Sequence, residues 1–145
     1  MRKIPLTFRA GLTGLLLGTA LLAAPAVARA ESALSGLWYT QSGETQVRFA
    51  PCGKAICGTI AWLKTPRKDT SNPDAAKRDR SLVGTQLVYG LMPAGNGKWN
   101  GKLYNYENGK TYSGSLQLKG ADKLELSGCV MGGLLCRSQT WSRAR

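Results

Sequence analysis

From Lys98 onward the chain alternates apolar and polar residues, KWNGKLYNYENGKTYSGSLQLKGADKLELSG, with turn residues at intervals. A period of two marks a strand with one buried face. Asn108-Gly109 predicts a hairpin with a two-residue type I′ loop, because both loop positions need positive φ. That loop sets Glu107 opposite Lys110, Asn105 opposite Tyr112, Leu103 opposite Gly114, Gly101 opposite Leu116 and Trp99 opposite Leu118. One face of the pair is then nearly all apolar or Gly. A three-residue loop at Gly120-Ala121-Asp122 carries that face onward, pairing Leu118 with Leu124, Leu116 with Leu126 and Gly114 with Gly128. Two turns read independently agree on one buried face.

The cysteines obey the same logic. With Cys52 opposite Cys57 around a Gly53–Ile56 loop, Phe49 faces Ile60 and Val47 faces Trp62, and the cysteines take the other face. Cys129 and Cys136 flank VMGGLL, so both pairs can close hairpin tips. Opposed residues stand about 4.5–5.5 Å apart, within reach of a disulfide. Four cysteines allow three pairings. Two local bridges are favoured, with cross-pairing between the tips as the alternative. Further strands are expected at Leu34–Gln41, Leu82–Leu91 and Cys136–Arg143. The polar stretch Lys64–Ser81, with Pro66 and Pro73, reads as a long loop with a helical turn near Asp74–Arg78. About eight short strands joined by tight hairpins predict an all-β fold, an antiparallel up-and-down β-barrel.

The first 30 residues stand apart. Met1-Arg2-Lys3 is a basic start, Ala10 to Ala24 an apolar run and Ala28-Arg29-Ala30 a cleavage site. These are the parts of a secretory signal peptide, and the run is too short to span a bilayer. An uncleaved membrane anchor is the alternative. Cleavage after Ala30 leaves residues 31–145 as a single domain, periplasmic or secreted, with no transmembrane segment. An oxidising compartment makes Cys52, Cys57, Cys129 and Cys136 disulfide partners rather than ligands or nucleophiles. The leader carries Arg2, Lys3, Arg9 and Arg29 and no acid, so +8 of the +12 net charge stays with the domain. In an exported chain that charge speaks for a solvated surface, or attraction to an anionic envelope polymer or lipid, and not for nucleic acid.

Candidate chemistry is sparse. The chain has no His, which removes the usual general base and the commonest metal ligand, so neither a metal nor a cofactor is expected. Asp69 and Glu107 are the acids to name for a hydrolase, and nothing in the sequence joins them. Asp69 and Asn72 could present polar groups at a barrel mouth, or form an ordinary Asn-Pro turn. Arg78 and Arg80 could meet an anionic head group, or pair with Asp74 and Asp79. Trp99 and Tyr112 share the predicted inner face, where they line a pocket or fill it, while Tyr104 and Tyr106 point outward. The candidate ligand set is therefore Asp69, Asn72, Arg78, Arg80, Trp99 and Tyr112, with Lys64–Ser81 as a lid. Gly101, Gly114 and Gly128 either leave room inside or relieve strain where a barrel bends.

Gly36-Leu37-Trp38, CGKAICGTIAWL (52–63), D-x-x-N-P (69–73), GKLYNYENGKTYSGSL (101–116), Gly128-Cys129 and RSQTWSR (137–143) occur in that order. Together they resemble the exported bacterial proteins classed as domain of unknown function 2147, over essentially the whole of residues 31–145. The resemblance implies a lipocalin-like, calycin-type barrel and supplies no catalytic residues. One departure is Tyr104-Asn105-Tyr106, where the family usually has Tyr-Asp-Pro. Lipocalins also stack a late Arg over the Trp of a G-x-W motif, which implies Trp38 with Arg143 or Arg137 in a structural role. The function expected is a non-catalytic barrel of the bacterial envelope that binds a small, apolar or anionic lipid-like ligand. An envelope- or protein-docking module without internal ligand comes second, and a carboxylate-based hydrolase third.

Overall fold

The computed structural model describes residues 33–145, and the predicted leader lies outside them. Eight strands follow in order: β1 (Gly36–Tyr39), β2 (Thr45–Cys52), β3 (Ala55–Leu63), β4 (Gln86–Gly95), β5 (Lys98–Asn105), β6 (Lys110–Leu118), β7 (Lys123–Val130) and β8 (Leu135–Arg143). Each is antiparallel to the next, and β8 returns to β1 to close an up-and-down barrel. The only helical pieces between strands are the 3-10 turns Ala75–Lys77 and Met131–Gly133. The first falls inside the stretch where a helical turn is predicted. No helix among the described residues is long and apolar enough to cross a membrane.

Following the strand directions divides the barrel into two ends. The floor gathers the β2–β3, β4–β5 and β6–β7 turns. The mouth gathers the β1–β2 turn, the long β3–β4 connection, the β5–β6 turn and the β7–β8 tip. Trp38, Val47, Phe49, Ile60, Leu91, Trp99, Leu116 and Leu124 lose essentially all solvent contact and fill the floor half. Gly58 is part of that packing, because a Cβ there would stand 2.8 Å from the Phe49 ring.

The β6–β7 register is the one expected, with Leu118 opposite Leu124, Leu116 opposite Leu126 and Gly114 opposite Gly128. Two other hairpins slip by two residues. In β5–β6, Asn105 pairs with Lys110, Leu103 with Tyr112, Gly101 with Gly114 and Trp99 with Leu116, around a four-residue loop. Local side chains widen that loop. Asn105 Oδ1 accepts from Glu107 N at 2.9 Å, Asn108 Oδ1 from Lys110 N at 3.0 Å, and Gly109 N reaches Asn105 O at 2.8 Å. The pair of consecutive positive φ values that a type I′ turn needs occurs instead at Asn96 (53°) and Gly97 (66°), between β4 and β5.

In β2–β3 the loop is Gly53-Lys54, with Cys52 opposite Ala55, Phe49 opposite Gly58 and Val47 opposite Ile60. Positive φ falls on Gly53, the first loop residue, as a type II′ turn requires. A slip of two preserves the faces, so the inner residues stay inner, except that the bulge between Gln46 and Val47 sets Trp62 opposite Gln46 and turns it outward, in place of the inner position expected opposite Val47. Both local disulfides form. Cys129 and Cys136 are directly opposed, whereas Cys52 and Cys57 bridge diagonally across 5.7 Å between Cα atoms. No cysteine among the described residues is free.

Candidate functional site

The mouth half of the barrel is hollow. A cavity of about 840 Å³ opens there, walled by Leu87 and Val88 of β4, Leu103 of β5, Tyr112 of β6, Leu126, Gly128 and Val130 of β7, and Leu135, Arg137, Gln139 and Trp141 of β8. Its rim is polar, with Thr40, Gln41 and Ser42 on one side and Asn105, Glu107 and Asn108 on another. Trp141, 3% exposed, closes the bottom on the β8 side and lies 6.2 Å from the Phe49 ring. The Trp141 indole N–H is satisfied by Gln139 Oε1 at 3.1 Å. The upper wall is apolar apart from Arg137, Gln139 and the Tyr112 hydroxyl, which accepts from Asn108 Nδ2 at 2.8 Å.

The expected ligand residues are distributed otherwise. Tyr112 lines the cavity. Trp99 is 1% exposed in the floor packing, and its indole N–H has no partner. Asp69, Asn72, Arg78 and Arg80 do come together, but they hold one another, and no residue from Lys64 to Thr85 lines the cavity. Asp69 is fully buried and accepts from Tyr104 Oη at 2.6 Å, Asn72 Nδ2 at 2.7 Å, and Arg80 through Nη2 at 2.8 Å and Nε at 3.1 Å. Arg78 Nε donates to Asn72 O at 2.8 Å. The strap from Lys64 to Ser81 doubles back at a Lys68–Ser81 bridge and is fastened to the face of β5 opposite Leu103. Ser71 Oγ donates to Glu107 O at 3.1 Å, and Gly109 lies so close to Ser71 O that no side chain fits there. The strap is a latch on the barrel wall, in place of the lid expected over the mouth. Its expected helical turn begins at Asp74, whose carboxylate accepts from Ala76 N.

Burial pushes the Asp69 carboxyl up, but the bonds from Tyr104, Asn72 and Arg80, with the Arg80 charge, outweigh it and leave Asp69 below its ordinary value of 3.8. Burial and the facing carboxylate push the Tyr104 hydroxyl up to about 12. Tyr104 thus turns away from Leu103, as expected, yet is itself covered. Trp62 lies on the outer surface, 41% exposed, edge-on to Tyr39 at 6.4 Å.

Two of the three inner glycines leave no room. A Cβ on Gly114 would stand 2.4 Å from Leu103 Cδ1, and one on Gly101 would stand 2.6 Å from Tyr89 O. Only at Gly128 would a Cβ fit without a clash, in ordinary contact with Leu103 Cδ1 at 3.6 Å. Arg137 and Gln139 join the wall without having been expected there. The signal was present: extending the Cys129–Cys136 pairing by one step sets Arg137 opposite Gly128, on the inner face.

A family model described as "Uncharacterized protein conserved in bacteria (DUF2147)" matches residues 36–143. Comparison with curated proteins gives no match. Among solved structures, the barrel is similar to protein HP1028 from the human pathogen Helicobacter pylori, described as belonging to the lipocalin family. That likeness has a TM-score of 0.70 at 25% identity, over 77% of this chain and 83% of the other.

Proposed function

The chain belongs to the DUF2147 family, and from that premise we propose that it is a non-catalytic container of the bacterial envelope, holding a small apolar or amphiphilic ligand in its mouth. The observation that carries the reading is the cavity. Its volume of about 840 Å³ falls within the roughly 300–1,000 Å³ of small-molecule sites. Its walls are apolar apart from Arg137, Gln139 and the Tyr112 hydroxyl, its rim is polar and its floor is filled. The two disulfides fit an extracytoplasmic chain, and with the sequence leader they support a periplasmic or secreted protein. Against catalysis stands the state of the acids. A general acid needs a raised pKa, whereas Asp69 is held down by three donor side chains and Glu107 sits at the rim.

The test is titration with an anthroyl-labelled stearic acid, whose fluorescence rises in apolar surroundings. Wild type should bind with about micromolar affinity or tighter. Gly128→Leu should abolish binding with little change in melting temperature, because the new side chain enters the cavity. Gly114→Leu would collide with Leu103 and Ser127 O and is expected to unfold the protein instead. A docking role is favoured by one observation: Met131, Leu134 and Leu135 are 73%, 86% and 56% exposed on the bridged β7–β8 tip, an apolar patch without cover. A folded wild type that binds no probe but sediments with anionic vesicles, and loses this on Leu134→Asp, would replace the container reading by that one.

A further inference from the structure

Arg137 is the one cation among the residues lining the cavity, and it has no partner. It faces inward because its cross-strand neighbour is Gly128, which looks onto Leu103. Among the described residues it forms no side-chain hydrogen bond and no ion pair, and the one acid of the lining, Glu107, does not reach it. The other arginines near the mouth are engaged. Arg80 is held by Asp69, Arg78 by Asn72 O, and Arg67 lies 5.6 Å from the centroid of the Tyr106 ring.

Along β8 the inner face runs Leu135, Arg137, Gln139, Trp141 from rim to bottom. Four residues of strand place Arg137 roughly 13 Å along β8 from Trp141, toward the rim. Leu126, the cross-strand partner of Gln139, and Leu103 add apolar wall to the same cavity. This is the layout for a molecule with a charged end near the rim and an apolar tail below.

Resting on the container reading, we propose that Arg137 makes the cavity selective for single-chain amphiphiles with an anionic head, a carboxylate or a phosphate monoester. The selectivity has two sources. A bound tail expels the water around the guanidinium, and a neutral ligand leaves that charge desolvated without a partner. An anionic head restores the loss through a forked, charge-assisted pair.

The experiment compares anthroyl-labelled stearic acid with its methyl ester on wild type, Arg137→Gln, Arg137→Lys and Arg78→Gln. Displacement of the acid probe by laurate and by dodecyl phosphate separates the two head groups. Wild type should prefer the acid to the ester by about tenfold or more, the scale of one charge-assisted bond. Arg137→Gln should bring the ratio close to one, acid affinity falling as the charge pair is lost and ester affinity rising as the unpaired desolvated charge disappears. Arg137→Lys should keep part of the preference, and Arg78→Gln all of it. Displacement by laurate alone, or by dodecyl phosphate alone, assigns the head group. Equal binding of acid and ester by wild type, or a preference that survives in Arg137→Gln, overturns the assignment and leaves the container standing. Failure of wild type to bind either probe overturns both.

Discussion

Arg143 serves four groups at once. Its guanidinium lies 4.2 Å from the centroid of the Trp38 ring and donates to Ser35 O at 3.1 Å, Ala33 O at 2.5 Å and Ala121 O at 2.9 Å. Trp38 is itself fully buried, and its N–H reaches Leu34 O at 2.9 Å. One residue of β8 therefore ties the entry of β1 and the β6–β7 turn to the floor. Trp38→Ala should cost about 3–5 kcal/mol as a large core truncation. Arg143→Ala should cost less, and the double mutant should lose less than the sum, because the groups touch. Denaturant unfolding of the four proteins checks this, and additive losses would show that the stack contributes nothing. This pair was legible because a G-x-W motif and a late Arg are local signals that a resemblance can transfer. The alternative partner, Arg137, stands in the mouth half, where it lines the cavity. The role of Asp69 was not legible, since its main partner, Tyr104, is 35 positions away and only folding shows that the strap crosses β5.

Among the elements, β1 and β8 form the weakest seam. β1 has four residues and meets β8 only at Trp38–Arg143 and Tyr39–Ser142. Nearer the mouth, a single side chain substitutes for the missing strand, Gln41 Oε1 accepting from Thr140 N at 3.0 Å. Successive N–H groups of a strand point to opposite sides. Thr140 N turns toward β1, so Ser138 N and Cys136 N share that side, while Arg137, Gln139 and Trp141 direct theirs to β7. Hydrogen exchange should be fast at Cys136 and Ser138, slower at Thr140 and slowest at Arg137, Gln139 and Trp141. Uniform protection along β8 would mean the seam is closed. The strand expected at Leu34–Gln41 is twice the length of β1. The alternation there was real, but a strand also needs a neighbour, and after Tyr39 the chain turns instead, Gly43 N donating to Thr40 O. The slips in β2–β3 and β5–β6 have a related cause. Alternation determines which residues face in, but loop chemistry determines how many residues the turn consumes, and either count gives the same faces.

At the scale of the whole molecule, one buried carboxylate, Asp69, joins the strap to the Tyr104 hydroxyl of the barrel wall, so the latch should respond to pH. Asp69 titrates below its ordinary value of 3.8 in the folded chain. Its contribution is therefore complete above that value and is lost as pH falls through the depressed folded value. Tyr104 works the other way, since its folded value of about 12 exceeds the ordinary 10.0. Its contribution is complete below pH 10 and disappears as pH rises toward 12. The latch is thus secure between these limits. Asp69→Asn should cost about 1–3 kcal/mol at neutral pH by weakening the bonds to Arg80 and Tyr104, toward the lower end because Arg80 is 39% exposed. Unfolding of wild type and Asp69→Asn measured from pH 2.5 to 7 should show the two stabilities converging in acid, and parallel curves would show that Asp69 does not hold the strap. Probe titration on the same variant separates latch from lid. The strap lines no part of the cavity, so Asp69→Asn should bind the labelled stearic acid as wild type does, even where limited proteolysis finds residues 64–81 loosened.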